Sequence, residues 1–435
     1  MRPTVQSVSK PASTSDEAAA AAHEGSMSEA ATSAEAPELP KLSMPREGLP
    51  AVITTDSALT EAIAALRAGT GPVALDAERA SGHRYGQRAY LIQIRRAGAG
   101  TFLIDPVAQP DLHAIDAAIA DASWVLHAAS QDLACLAEVG LEPHAGLFDT
   151  EIAARLLGRP RVGLAALVAD YMGFALAKEH SAVDWSTRPL PESWLAYAAL
   201  DVELLLELAQ KLTAELQAAD RLHWLQQECE HTIAQSRIDA VPKPEPWRRT
   251  SGLHKVRTRK SLAVVAQMWE ERDRLARIND VHPSRILPDA AIVAAAMNLP
   301  MTMTSLTAMP EFATRGAGRH IRTWLRCIQQ AAASPEGSWP AAGPRGDTIP
   351  QPRSWAQREP EAWARLEKAR SGLAALADTL GVPVENLIKP EVVRRLCWEP
   401  PGDAADGGLE GWLSSSAVRP WQIEQTLGIL RECLA

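Results

Sequence analysis

Cysteine is scarce in this chain, and its pattern excludes two architectures. Cys135, Cys229, Cys327, Cys397 and Cys433 are odd in number, scattered and free of any CxxC pair. Neither a disulfide framework nor a zinc site is indicated, and a reducing cytoplasm is the expected compartment. Apolar runs of the ~18 residues needed to cross a bilayer are missing too, so no membrane association is expected. Positive charge is not in excess: 44 Lys and Arg stand against 53 Asp and Glu, a formal charge of -9. That excludes a globally basic nucleic-acid binder, although a local patch still steers a polyanion. Residues 1–48 mix Ala, Ser, Glu and Pro with no basic start followed by an apolar stretch. They read as a disordered tail rather than a signal peptide, and translation from Met27 or Met44 is as readable as from Met1.

The 435 residues are 46% hydrophobic and 22% charged, as in soluble globular chains, and their length suggests roughly three domains. From residue 50 short apolar runs alternate with helical patterns. "AVITTD" reads as a strand, "SALTEAIAALRAG" as a helix capped by Asp56 or Ser57, and "GPVALDAE" as a strand. "YLIQIRRAG" and "GTFLIDP" form an expected antiparallel hairpin, so the sheet is mixed and the class α/β. "SWVLHAA" is a further strand, "SQDLACLAEVG" a helix, and "GLFDTEIAARLLG" a strand leading into a helix. The pattern turns helical from 163 to about 217, with "PESWLAYAALDVELLLELAQKLTAEL" read as one long helix. A first domain therefore spans 49–217, followed by a helix and Pro-rich linker at 218–258. Two helical regions, 259–334 and 358–435, flank a loose stretch at 335–357. Each contains a charged helix, a turn, "RIL" or "NLI", a Pro and another helix, the outline of a repeated module.

The strand "VALDAER" carries Asp76 and Glu78, two apart and hence on one face. Adjacent buried carboxylates repel and need a cation to offset them. A lone D-x-E is equally a strand end emerging into solvent. On a helix Tyr197 and Asp201 share a face, and Asp132 follows an apolar strand in the first turn of a helix, where the dipole favours an acid. His127, at that strand's end, and Gln93, in "LIQI", read as structural.

The order of these signals is specific. D-x-E on a strand, a single Asp at a later strand-to-helix junction and Y-x-x-x-D on a late helix resemble the DEDD superfamily of 3′-to-5′ exonucleases in its tyrosine subclass, and within it ribonuclease D. "LIQI", "LIDP", "FDTEIAARLLG" and "VDWSTRPLPESWLAYAALDVELLLEL" extend the likeness across 50–210. The resemblance implies a ribonuclease H-like mixed-sheet domain followed by all-α modules: a helicase-and-RNase-D C-terminal (HRDC) domain at 259–334 and a second, poorly matched HRDC-like domain at 358–435. It implies that Asp76, Glu78, Asp132 and Asp201 hold two Mg²⁺ or Mn²⁺ ions, hard cations suited to oxygen ligands, and that Tyr197 orients the attacking water. RNA with a single-stranded 3′ end, tRNA precursors among the candidates, is the implied partner, and a monomer is the expected state.

The same acids cleave DNA, and a catalytically silent RNA-binding protein would keep the fold. For strand contact, "WRRTSGLHKVRTRK" offers Arg248, Arg249, Lys255, Arg257, Arg259 and Lys260 without an acid, with Trp247 either stacking a base or filling a core. Arg315, Arg319, Arg322 and Arg326 recur at helical spacing as one basic stripe. Lys178 and Arg188 flank "VDW", touching the scissile phosphate or positioning its loop.

Overall fold

A computed structural model describes residues 39–176, 183–238, 244–343, 349–402 and 408–435. Lys178 lies outside the described residues, as does most of the N-terminal tail. Residues 39–435 form one compact unit. The strands are β1 (Lys41–Leu42), β2 (Val52–Ile53), β3 (Thr70–Arg79), β4 (Ala89–Ala97), β5 (Gly100–Ile104), β6 (Trp124–Leu126), β7 (Leu147–Asp149) and β8 (Ala175–Leu176).

Six of them form a mixed sheet ordered β2-β5-β4-β3-β6-β7, in which β3, β4 and β5 are antiparallel neighbours. β2, β6 and β7 join in parallel, so the expected hairpin and mixed sheet are both present. Strand alternation splits β3 cleanly: Val73, Leu75 and Ala77 enter one hydrophobic core, and Ala74 enters another on the opposite side. Asp76 and Glu78 therefore face the second side, where the Glu192–Glu203 helix lies across β3, β4 and β5.

Several boundaries differ from the expectation. The last ten residues assigned to the tail are ordered by the domain itself: β1 pairs with β8, the Arg46 backbone N–H donates to the Glu203 carboxylate at 3.0 Å, and Glu47 pairs with Arg95 at 3.1 Å. The first helix, Asp56–Ala68, is capped by Thr55, whose hydroxyl accepts from the Ala58 N–H, while Asp56 accepts from Gln109. The long helix expected after Pro191 is two, Glu192–Glu203 and Leu205–Ala218, meeting at Leu204. The break lets the second helix follow the twisted sheet onto β6.

The two helical regions share an order of elements. A 21-residue helix, Arg259–Asn279, precedes short helices Pro283–Ile286 and Asp289–Asn298, and the 21-residue Pro360–Leu380 precedes Val384–Leu387 and Pro390–Trp398. Trp355, placed in the loose stretch by sequence, is wholly buried in the core of the last region. Among the described residues no helix is long and apolar enough to cross a membrane.

Candidate active site

At the end of β3 a cavity of about 400 Å³ is lined by Asp76, Glu78, Arg79, His127, Asp132, Tyr197 and Asp201, among others. Ligand oxygens of Asp76, Glu78 and Asp201 lie within 4.8 Å of one another. Asp132 is on the same cavity wall, with its carboxylate 3.7 Å from the Arg79 guanidinium. Tyr197 is hydrogen-bonded to Asp201 one turn along its helix. Residues from β3, a loop after β6 and the Glu192–Glu203 helix thus converge, although 125 positions separate Asp76 from Asp201.

Among the described residues, four acids with one neighbouring cation, Arg79, are electrostatically incomplete. Burial pushes the Asp76 carboxyl up to about 6. Burial, then the charges of Asp76, Asp201 and Asp132, push Glu78 to about 10. Asp132 rises to about 8, from burial and then Asp76, and Asp201 is raised well above the carboxylate range for the same two reasons. Burial and Asp201 likewise hold the Tyr197 phenol well above its ordinary value, so it stays protonated and acts as a hydrogen-bonding group. Arg79 opposes the rise at Asp76, Glu78 and Asp132 but does not cancel it. The deficit has the sign and the all-oxygen chemistry that fit a hard divalent cation.

Asp149 is the functional residue that sequence reasoning passed over inside "FDTEIAARLLG". Its buried carboxylate caps the Thr150–Leu156 helix through the Glu151 and Ile152 N–H groups and also accepts from Ala128 and Ala129. Ala128 is left-handed, at φ 58°, so Asp149 fixes the sharp turn that delivers Asp132. An Asp just before a helical pattern was the available signal. Instead of one helix, "SQDLACLAEVG" forms a tight turn at Ala129–Gln131 and a short helix at Leu133–Ala137, with Asp132 at the junction. His127 packs against Thr150 at 2.9 Å, and burial lowers it to about 4.

Arg188 is not among the residues that line the cavity. It forms a two-pronged pair with Asp105 at 2.7 and 2.8 Å and donates to the carbonyls of Tyr90, Trp185 and Thr187, so it positions the "VDW" loop. Trp247 is 3% exposed within the middle helical core and cannot stack a base, because its face is spent on packing. Arg248 is held by Glu245 and the Ala341 carbonyl, and Arg259 by the carbonyls of Glu336, Trp339 and Pro340. Arg249, Lys255 and Arg257 remain exposed. The four-arginine stripe is broken: Arg315 and Arg319 lie on one short helix and Arg322 and Arg326 on the next, with His320 between.

Residues 50–217 match the 3′-5′ exonuclease family, 261–328 the HRDC domain, and 348–434 the 3′ to 5′ exonuclease C-terminal domain. Ribonuclease D of Escherichia coli (strain K12) is 30% identical over 349 residues, covering 79% of this chain and 89% of that protein. The chain belongs to the ribonuclease D family. A crystal structure of a protein from Bifidobacterium adolescentis superposes with a TM-score of 0.83 at 37% identity, over 91% of this chain and 99% of that one. The crystal structure of Escherichia coli RNase D, described as an exoribonuclease involved in structured RNA processing, gives 0.62 at 26% identity, over 84% and 98%. Membership of the ribonuclease D family makes the protein a 3′-5′ exoribonuclease, a metal-dependent phosphodiester hydrolase. The last helical region, expected as a second HRDC-like domain, matches a family of a different description.

Proposed function

We propose that this chain removes 5′-mononucleotides one at a time from RNA with a single-stranded 3′ end, tRNA precursors and other stable RNAs being the substrates, and that it works in the cytoplasm as a monomer. The observation that carries the reading is the convergence of Asp76, Glu78 and Asp201 oxygens within 4.8 Å beside Asp132 and Tyr197. In this reading Asp76, Glu78, Asp132 and Asp201 hold two divalent ions, Mg²⁺ or Mn²⁺. Such ions acidify a water and stabilise the attacking and leaving oxygens of an in-line displacement.

The chain's own residues do the rest. Tyr197 keeps its proton and orients the attacking water through its hydroxyl, with Asp201 fixing the direction of that hydroxyl. Arg79 steadies Asp132 at the cavity wall. Asp149 holds the Asp132 turn, and Arg188 braces the loop leading to the Tyr197 helix. Arg249, Lys255, Arg257, Arg315, Arg319 and Arg322, all exposed, supply phosphate contacts along the strand.

The test uses 3′-tailed RNA and matched DNA, each labelled at the 5′ end, with Mg²⁺ or Mn²⁺, with chelator, and with Asp76→Ala. A ladder shortening from the 3′ end on RNA alone, lost with chelator and in the variant, is expected. Equal shortening of DNA would replace the RNA assignment with a DNA exonuclease. Metal-independent RNA binding without nucleotide release would make the chain a silent binding protein.

A further inference from the structure

The sheet beneath the cavity carries one polar side chain that the reaction above leaves unused. Gln93 is wholly buried, and neither its amide nitrogen nor its amide oxygen has a hydrogen-bond partner among the described residues. An amide in that condition gives up its water on folding and receives nothing in return. A methionine or leucine would serve a purely structural purpose better.

Its position suggests why an amide is there. Gln93 stands directly opposite Asp76 across the antiparallel β3–β4 pair, so the two share the helix-facing side, with Glu78 on the diagonal. Leu103 stands opposite on β5, and Ala198 and Ala199 pack from the overlying helix. Of the polar neighbours on that side, Arg95 is engaged with Glu47 and Thr101 and Asp105 with Arg188, while the Trp185 indole N–H, buried in the same cluster as Leu103, is a donor without a partner among the described residues. An indole N–H only donates and can meet only the amide oxygen, so the acids of the cavity are the acceptors left for the amide N–H.

We infer that Gln93 is a positioning residue for the cation site, its amide N–H donating to the Asp76 carboxylate in the metal-loaded protein. An ionised carboxylate only accepts, and the amide nitrogen supplies two donors. Such a bond, made from beneath, fixes the orientation of Asp76 and supports its charge, the service that outer partners perform for metal-binding carboxylates elsewhere. Gln93 itself is absent from the cavity wall, so it touches neither metal nor RNA. The inference rests on the proposed metal-dependent reaction and adds a residue to it.

The experiment measures Mn²⁺ binding by the full chain, from the electron paramagnetic resonance signal of free Mn²⁺, beside thermal melting in EDTA. Gln93→Met keeps the size and removes the amide, with Gln93→Leu as a second variant. The expected result is a melting temperature in EDTA equal to or above wild type, Mn²⁺ affinity about tenfold weaker, and a lower kcat on 3′-tailed RNA at unchanged KM. A folded variant with Mn²⁺ affinity within about twofold of wild type would overturn the inference. So would unfolding of both variants in EDTA, which marks the amide as a structural prop. Wild type that binds no Mn²⁺, indistinguishable from Asp76→Asn, would instead sink the metal-site reading itself.

Discussion

The two helical modules hold the exonuclease domain by opposite chemistries. The middle module meets it through a polar loop: the Tyr85 hydroxyl donates to Asp273 at 3.0 Å, the Tyr85 N–H to Asp280, the His282 N–H to the His83 carbonyl, and Arg285 to the Gly82 carbonyl at 2.8 Å. Those residues follow Glu78 and Arg79 closely on the chain, and Ser81 lines the acidic cavity. The last module instead shares a core with the domain. Trp421 stacks on Trp224 with ring centres 4.4 Å apart, among Leu156, Leu212, Leu216, Val382 and Leu387. Glu228 accepts from both Arg419 and Trp421, and Arg221 bridges the carbonyls of Leu156 and Leu380. Apolar burial does not fade with salt, whereas exposed polar contacts do. The last module is therefore a permanent buttress, and the middle one is held by contacts that solvent conditions can weaken, next to the site.

Five experiments test that contrast, beginning with the largest effect. Trp421→Ala should lower stability by about 3–5 kcal/mol, because it empties a buried stack, as read by urea unfolding, while the folded fraction keeps its catalytic rate. A stability loss under about 1 kcal/mol would mean the last module is not a buttress. Next, a Cβ at Gly158 would sit 1.9 Å from the Gly381 carbonyl oxygen, at a φ of +69°. Gly158→Ala should therefore cost about 1–3 kcal/mol by the same assay.

Third, Tyr85→Ala should cost roughly 1–2 kcal/mol of docking, seen as faster proteolysis near the middle module. It should slow degradation of long RNA more than of a dinucleotide. Equal slowing of both would show that Tyr85 acts on the cavity rather than on docking.

Salt and acid should have the smallest effects. Raising NaCl from about 0.1 to 1 M should loosen the middle module alone, since the Arg84–Asp280 pair across that contact is half-exposed and screened pairs are worth little. Both contacts also contain a histidine whose pKa is lowered. Burial and then Arg272, Arg285 and His83 lower His282, and burial and then Arg419 and Lys389 lower His231. A base with a depressed folded pKa contributes stability above its unfolded pKa near 6.5, and that contribution is lost as pH falls below it. Both modules should thus loosen slightly as the pH falls below about 6.5, as read by hydrogen exchange; tightening would reverse the sign of the argument.

Legibility followed the range of the interactions. Asp76 with Glu78 and Tyr197 with Asp201 were readable because strand and helix periodicity place residues two and four apart on one face. The repeat of a 21-residue helix and its short successors was readable for the same local reason. Trp247 was not: a tryptophan beside arginines has the composition of a stacking platform, and only the packing of the middle core buries it. The engagement of Asp56 by Gln109, the break at Leu204 and the ordering of residues 39–48 all depend on partners far along the chain, as the bond from Arg46 to Glu203 shows.

By itself, then, the order of residues determined the alternating elements, the mixed sheet and the identity of the acids, since each follows from short-range periodicity and chemistry. Only the tertiary structure decided that Asp149 delivers Asp132, that Arg188 braces a loop, that Gln93 lies unpartnered opposite Asp76, and which module is glued and which merely hydrogen-bonded. Those outcomes depend on distances between segments more than 15 residues apart, and no local pattern encodes a distance.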